Sequence, residues 1–156
     1  MTFERKKLSE QHYIYVDREA SFSGTEIADA MASGFGEVFG FVEQKGITPL
    51  TMPVTVYLKM PDGAKMSFRS GVFVSADAAK LAEGEIKSDV MPAGDVVLTT
   101  HVGAYANLNQ THKALWDYME VQGLPAVMPV WEIYIDDPTT KPESEVRTEI
   151  YRAVGI

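Results

Sequence analysis

The stretch Pro129-Val130-Trp131-Glu132-Ile133-Tyr134-Ile135-Asp136-Asp137-Pro138 reads as a strand bounded by proline at each end. A side-chain period of two sends Trp131, Ile133 and Ile135 to one face and Val130, Glu132 and Tyr134 to the other. The first set is wholly apolar and is expected to pack on the core. The second puts a carboxylate in mid-strand, where an unpaired charge taken out of water is costly. Glu132 therefore belongs either in solvent or in a cleft, and in a cleft it needs a partner or a cationic ligand.

Working outward, residues 12–18 form a first strand, and Ser23-Gly24-Thr25-Glu26 has the form of a capping box opening a helix. Ile27, Met31, Phe35, Val38 and Val42 follow at helical spacing, and Gly46 ends the helix. Gly34, Gly36 and Gly40 each weaken that helix by about 1 kcal/mol relative to alanine, so close packing of a neighbour or a kink is expected there. Strands over 53–60 and 66–75 meet through the turn residues Pro61-Asp62-Gly63, and 76–84 is a connector. Strands over 86–91 and 95–102 flank Pro92-Ala93-Gly94. A second helix opens at Asn107, carries Leu108, His112, Leu115 and Met119 on its apolar side, and closes at Gly123. Strands over 129–136 and 145–154 complete the chain.

The order strand, helix, hairpin occurs twice, and the sequence repeats with it. Lys45-Gly46-Ile47 aligns with Gln122-Gly123-Leu124 at an offset of 77, the distance from Gly46 to Gly123, and Val54 to Leu58 falls on Trp131 to Ile135 at the same offset. At 78, Phe68 to Phe73 falls on Val146 to Tyr151. The expected fold is α+β: one domain over 1–156 made of duplicated β-α-β-β modules, about 10–76 and 86–156, related by a pseudo-twofold axis around a central ligand cleft. By this duplication Trp131, Ile133 and Ile135, like Val54, Val56 and Leu58, pack against the two helices.

A chain of 156 residues that is 46% hydrophobic and 23% charged buries an ordinary core, which argues against disorder. The charged start leads into no signal-like run, and no apolar run reaches the length of about 18 residues that a membrane helix needs, so a cytoplasmic location without membrane contact is expected. The absence of cysteine excludes disulfides, thiolate catalysis and cysteine-based zinc sites. His12, His101 and His112 lack metal-site spacing, and neither a metal nor a cofactor is expected. A net charge of −8 repels a phosphate backbone, so no nucleic-acid partner is expected.

The strand faces assigned away from the core carry Thr55, Tyr57, Phe73, Glu132, Tyr134, Glu149 and Tyr151. Carboxylates among aromatic rings suit a flat organic cation, because ring faces add cation–π attraction to a full charge. An ordinary amphipathic sheet surface has the same composition. His101-Val102-Gly103-Ala104-Tyr105 lies where a strand turns into the second helix; Tyr105 is expected at the cleft mouth, and a structural hydrogen bond is ranked ahead of catalysis for His101. His112 is expected to be a packed residue at the core edge.

His101-x-Gly103-x-Tyr105, Trp131-Glu132-Ile133-Tyr134 with Asp136-Asp137-Pro138, and Arg147 to Tyr151, in this order, resemble the GyrI-like small-molecule-binding domain, also the effector-binding part of AraC- and MerR-type multidrug regulators. The resemblance implies two β-α-β-β modules facing across a groove, with the family's charge-reading glutamate at Glu132. Ala104 departs from the proline common in the family motif, and no segment is left for a helix-turn-helix, which implies a stand-alone binder. The implied function is binding of an amphipathic, aromatic, cationic or polarised small molecule, for sensing or sequestration, by Glu132, Tyr134, Tyr57, Thr55, Phe73, Tyr105, Glu149, Tyr151 and His101. Two alternatives stand beside it. One is a hydrolase opening strained cyclopropane or epoxide electrophiles with Glu132, Glu149 and Tyr134 as acid and base groups. The other is an inhibitor-type module with a protein partner.

Overall fold

The structure, a computed structural model, describes residues 2–22, 25–61 and 63–155. Ser23, Gly24 and Asp62 fall outside them, so the capping box and part of the expected hairpin turn lie outside the described residues. The chain forms two compact units, residues 10–92 and residues 1–9 with 93–156. Both are mixed α and β, with antiparallel sheets.

In the unit of residues 10–92, β2 (Gln11–Ser21) leads into α1 (Glu26–Lys45), followed by β3 (Val54–Tyr57), β4 (Lys65–Val74), the short α2 (Ala76–Ala79) and β5 (Lys87–Met91). The strand order is β3-β4-β2-β5. Ile14, Val16, Val72 and Val74 send one sheet face onto Val38, Phe41 and Val42 of α1, with Ala79 and Ile86 closing the cluster. Gly34 belongs to this contact. A Cβ there would lie 2.6 Å from the Ser70 side chain, so close approach explains this glycine, while Gly36 and Gly40 have open space beside them.

In the other unit, β1 (Phe3–Leu8) is followed by β6 (Gly94–Val102), α3 (Leu108–Val121), β7 (Ala126–Tyr134) and β8 (Arg147–Val154). The strand order is β1-β6-β8-β7. Leu115 and Met119 of α3 pack on Val97 and Ile150. The aligned glycines do matching work at the helix ends: the Ile47 N–H reaches Val42 O at 2.9 Å and the Leu124 N–H reaches Met119 O at 2.8 Å.

Two expectations are corrected by the pairing. The strand at 87–91, read as the start of the second module, pairs with β2 instead, Tyr15 opposite Lys87 and Gln11 opposite Met91. Ion pairs hold it there: Lys87 lies 2.8 Å from Asp17 on β2, and Asp89 lies 2.6 Å from Arg69 on β4. The second unit takes its edge strand from the N-terminus, Phe3 opposite Thr99 through Leu8 opposite Gly94.

The second correction concerns which face of β7 meets the helix. Ile150 opposes Glu132, and Ile150 packs on α3, so the row Val130, Glu132 and Tyr134 is the helix-facing one. Trp131 and Ile133 lie on the far face, where the Trp131 ring stacks on Tyr151 with centroids 5.2 Å apart. Period-two reasoning split the strand correctly and oriented it wrongly, because both rows are buried: Trp131 is 2% exposed and Glu132 3%. Ile135 is half-buried rather than core. Likewise Thr55 pairs with Ser70 on the helix side, while Val54 and Val56 pair with Gly71 and Arg69 on the far face.

Candidate functional site

The helix-facing row of β7 carries the chemistry. Glu132 accepts at both carboxylate oxygens, from His112 Nε2 on α3 at 2.5 Å and from the Tyr134 hydroxyl at 2.7 Å. Its burial is thus matched by hydrogen bonds, as a buried carboxylate requires. The His112 side chain keeps 26% exposure, so the pair sits at an edge of the helix–sheet contact. Tyr105 leans edge-on against Tyr134 at 5.6 Å and is 40% exposed, which makes it an aromatic rim to the same group. Burial raises the Tyr105 hydroxyl pKa, and the negative charges of Asp137, Asp136 and Glu132 raise it further.

The turn that presents Tyr105 is fixed from beneath. His101 is buried on β6; its Nε2–H donates to the Ala104 carbonyl at 2.9 Å, and Nδ1 lies 2.6 Å from the Thr111 hydroxyl on α3. A carbonyl only accepts, so Nε2 carries a proton, and Nδ1 shares a hydrogen bond with the Thr111 hydroxyl. Gly103 adopts φ 126° while its N–H reaches Val146 O at 2.8 Å, a conformation that other residues rarely adopt. Two residues past Tyr134, Asp136 accepts from Arg147 through N, Nε and Nη2 at 3.1, 2.8 and 3.1 Å, and Lys141 lies 3.1 Å away. Hydrogen bonds from Arg147 and Lys141 hold its carboxyl well below the usual carboxylate range. Asp137 accepts from the backbone and hydroxyl of Thr139, which is turn chemistry.

The expected constellation divides. Glu132, Tyr134, Tyr105 and His101 come together on the helix side of their unit. Glu149 and Tyr151 lie on the far face of the same sheet, because Tyr151 opposes Trp131 and Glu149 opposes Ile133. There the Tyr151 hydroxyl donates to Glu149 at 2.9 Å, and its pKa is raised by burial, then by that bond and the charges of Glu149 and Glu4. Phe73 likewise pairs with Tyr13 on the far face of its unit, their rings 5.7 Å apart, opposite to Thr55. Tyr57 stays on the helix side, its ring 6.4 Å from Phe68. The one-residue slip from 77 to 78 between the paired strands hides this: an antiparallel register in which Glu132 meets Ile150 puts even-numbered residues of both strands on one face.

Sequence reasoning missed His112 as the partner of Glu132. The signal was present: a histidine within the apolar stripe Leu108, Leu115 and Met119 needs a polar partner across the contact, and β7 offers one carboxylate facing it.

The site is thus a helix-covered antiparallel sheet that carries a hydrogen-bonded carboxylate beside an aromatic rim. The chain belongs to the GyrI-like family: the model described as GyrI-like small molecule binding domain matches residues 1–154. Among solved structures it is similar to the EcmrR C-terminal domain, at 22% identity and TM-score 0.78, covering 99% of this chain and 97% of that one. It is similar to EcmrR in its cryo-EM DNA complex at 21% identity and TM-score 0.77; the match covers 98% of this chain, which spans 57% of that one. SAV2435 bound to tetraphenylphosphonium aligns at 17% identity and TM-score 0.65, covering 99% of this chain and 94% of that one. No curated protein matches the sequence.

Proposed function

We propose that the chain binds hydrophobic cations or polarised aromatic molecules, with Glu132 as the charge partner and Tyr134 and Tyr105 as ring walls. The observation that carries this is a carboxylate 3% exposed whose two oxygens are oriented by His112 and Tyr134 beside a part-exposed tyrosine. A preorganised charge at an aromatic rim attracts a cation through both the charge and the ring faces. Membership of the small-molecule-binding family supports the reading, and so does a neighbour bound to an organic phosphonium. Thr55 and Tyr57 hold the counterpart positions in the other unit, with a hydroxyl where Glu132 has a charge, so charge recognition belongs to the unit of residues 93–156. Matching strand orders and the 77-residue offset support the reading of the two units as copies of one module. The net charge of −8 supports a chain that does not itself grip DNA, and a gel shift at moderate salt should show no retention.

The test is a thermal-shift screen with aromatic cations. At 100 times its dissociation constant a ligand stabilises the fold by about 2.7 kcal/mol. For a chain of this size that is a rise in Tm of roughly 5–10 °C. Cations should raise Tm and neutral analogues of the same shape should do so less; equal shifts would remove the charge from the account. Hydrolysis is the second reading, favoured by the Tyr134 hydroxyl resting on the carboxylate. Under the binding reading an aromatic epoxide incubated with the protein is recovered unchanged, and a ring-opened product above the buffer rate would favour the hydrolase.

A further inference from the structure

Two of the donors that Glu132 meets are the His112 Nε2–H on one oxygen and the Tyr134 hydroxyl on the other, and both are neutral when His112 is uncharged. Both leave the carboxylate its full charge. Acid changes only one of them. A phenol stays neutral through the physiological range, whereas imidazole is the side chain that gains or loses charge between about pH 5 and 8. An imidazolium 2.5 Å from this carboxylate would cancel its charge from inside the protein. Because Glu132 is buried, salt screens that pair far less than a surface pair. An incoming cation then meets a closed ion pair with a like charge beside it.

We propose that His112 is a specificity-determining residue of the cation site, a built-in counter-ion that competes with the ligand for Glu132 and shuts out cations as the pH falls. The inference rests on the binding reading above. Among the described groups of the unit around Glu132, this role falls to an imidazole. Tyr134 on β7 and Tyr105 in the turn are phenols, and the Tyr105 pKa is raised. Asp136 beyond Tyr105 is held by Arg147 and Lys141, and Asp137 by Thr139. Arg152 on β8 lies over Trp116, one turn along α3, at 4.6 Å, and a guanidinium stays charged. Lys113 and Asp117, on α3 itself, pair with each other at 2.8 Å. His101 on β6, joined to α3 through Thr111, is the second imidazole, and the experiment must separate it from His112.

One proton competing with one monovalent cation makes affinity rise with pH, at a limiting slope of roughly ten-fold per pH unit on the acid side of the imidazole titration. Tetraphenylphosphonium is the probe, since a permanent cation cannot itself titrate; triphenylphosphine oxide is the neutral control. Calorimetric titrations at about pH 8 and about pH 5.5 span the imidazole range. Wild type should bind the phosphonium on the order of ten-fold more weakly at the lower pH and the oxide equally at both. His112→Gln, whose amide still donates to Glu132 but gains no proton, should flatten the profile. Nuclear magnetic resonance on the wild type supplies a readout that needs no variant to fold: saturating phosphonium should move the His112 imidazole midpoint to lower pH and leave that of His101 in place. A flat wild-type profile, with binding still lost in Glu132→Gln, would overturn this inference and leave the binding reading standing. An equally steep fall in His112→Gln would overturn it by assigning the proton elsewhere. No phosphonium binding by wild type at either pH would overturn both.

Discussion

In the unit of residues 10–92 the sheet meets its helix through Ile14, Val16, Val72 and Val74, whereas in the unit of residues 1–9 and 93–156 the helix-facing rows also carry His101, Glu132 and Tyr134. The first contact is mainly apolar and non-directional, with one ion pair between β2 and α1, Arg18 to Glu37 at 2.5 Å. The second trades apolar area for hydrogen-bonded polar groups whose worth depends on every member being satisfied. The charged cluster of the first unit is on its far face instead, where Arg69 stacks over Tyr15 at 4.1 Å and reaches the Tyr13 hydroxyl at 2.7 Å. One strand order thus carries a mainly apolar helix contact in one unit and a hydrogen-bonded polar one in the other, with Thr55 and Glu132 as the counterpart positions where they part.

The largest effect should come from the far face of β7. Trp131→Ala removes the ring stacked on Tyr151 and is expected to cost about 3–5 kcal/mol in urea unfolding. Its counterpart Val54→Ala removes less volume and should cost about 2 kcal/mol. A smaller loss for Trp131 than for Val54 would break the equivalence of these strands.

Next come the glycines of α1. Gly34→Ala drives a Cβ to within 2.6 Å of Ser70. Overpacking of that kind costs about 1–3 kcal/mol, more than the helix propensity gained. Gly36→Ala, with open space beside it, should stabilise by up to about 1 kcal/mol. Thermal unfolding of the two variants should therefore move in opposite directions, and a shared sign would contradict the close approach of α1 to β4.

A smaller, pH-linked effect belongs to Asp136. Its carboxyl is held below the usual range, so the folded chain takes up this proton less readily than the unfolded chain. The stability it contributes is fully present above about pH 4 and is lost as pH falls through the depressed folded value. Asp136→Asn should lower Tm at neutral pH and make the acid limb of Tm against pH shallower. Parallel acid limbs for wild type and variant would remove the Arg147 clamp from the account.

Much of this was legible in the residues. Among the described residues, the two long helices, their ends at Gly46 and Gly123, and seven of the eight strands fall close to where periodicity and turn chemistry put them. β1, with only Phe3 and Leu8 at its ends less than fully exposed, has no alternation to read and was missed. Glu132 stands out in the sequence as a mid-strand carboxylate among tyrosines, and the structure brings Tyr134 and Tyr105 together beside it. Facing was not. Antiparallel register decides which residues of β7 and β8 share a face, and with both faces of β7 buried the burial pattern carries no sign. For the same reason Glu149, Tyr151 and Phe73 were grouped with residues from which the sheet separates them, and His112, on the helix, was left out.

The most direct test compares the two carboxylates that the sequence groups and the sheet separates. Dissociation constants for tetraphenylphosphonium are measured by calorimetry near neutral pH for wild type, Glu132→Gln and Glu149→Gln. The account predicts that Glu132→Gln weakens binding by ten-fold or more, about 1.4 kcal/mol, while Glu149→Gln, on the far face, stays close to wild type. Equal affinity of wild type and Glu132→Gln, or a loss confined to Glu149→Gln, would contradict it.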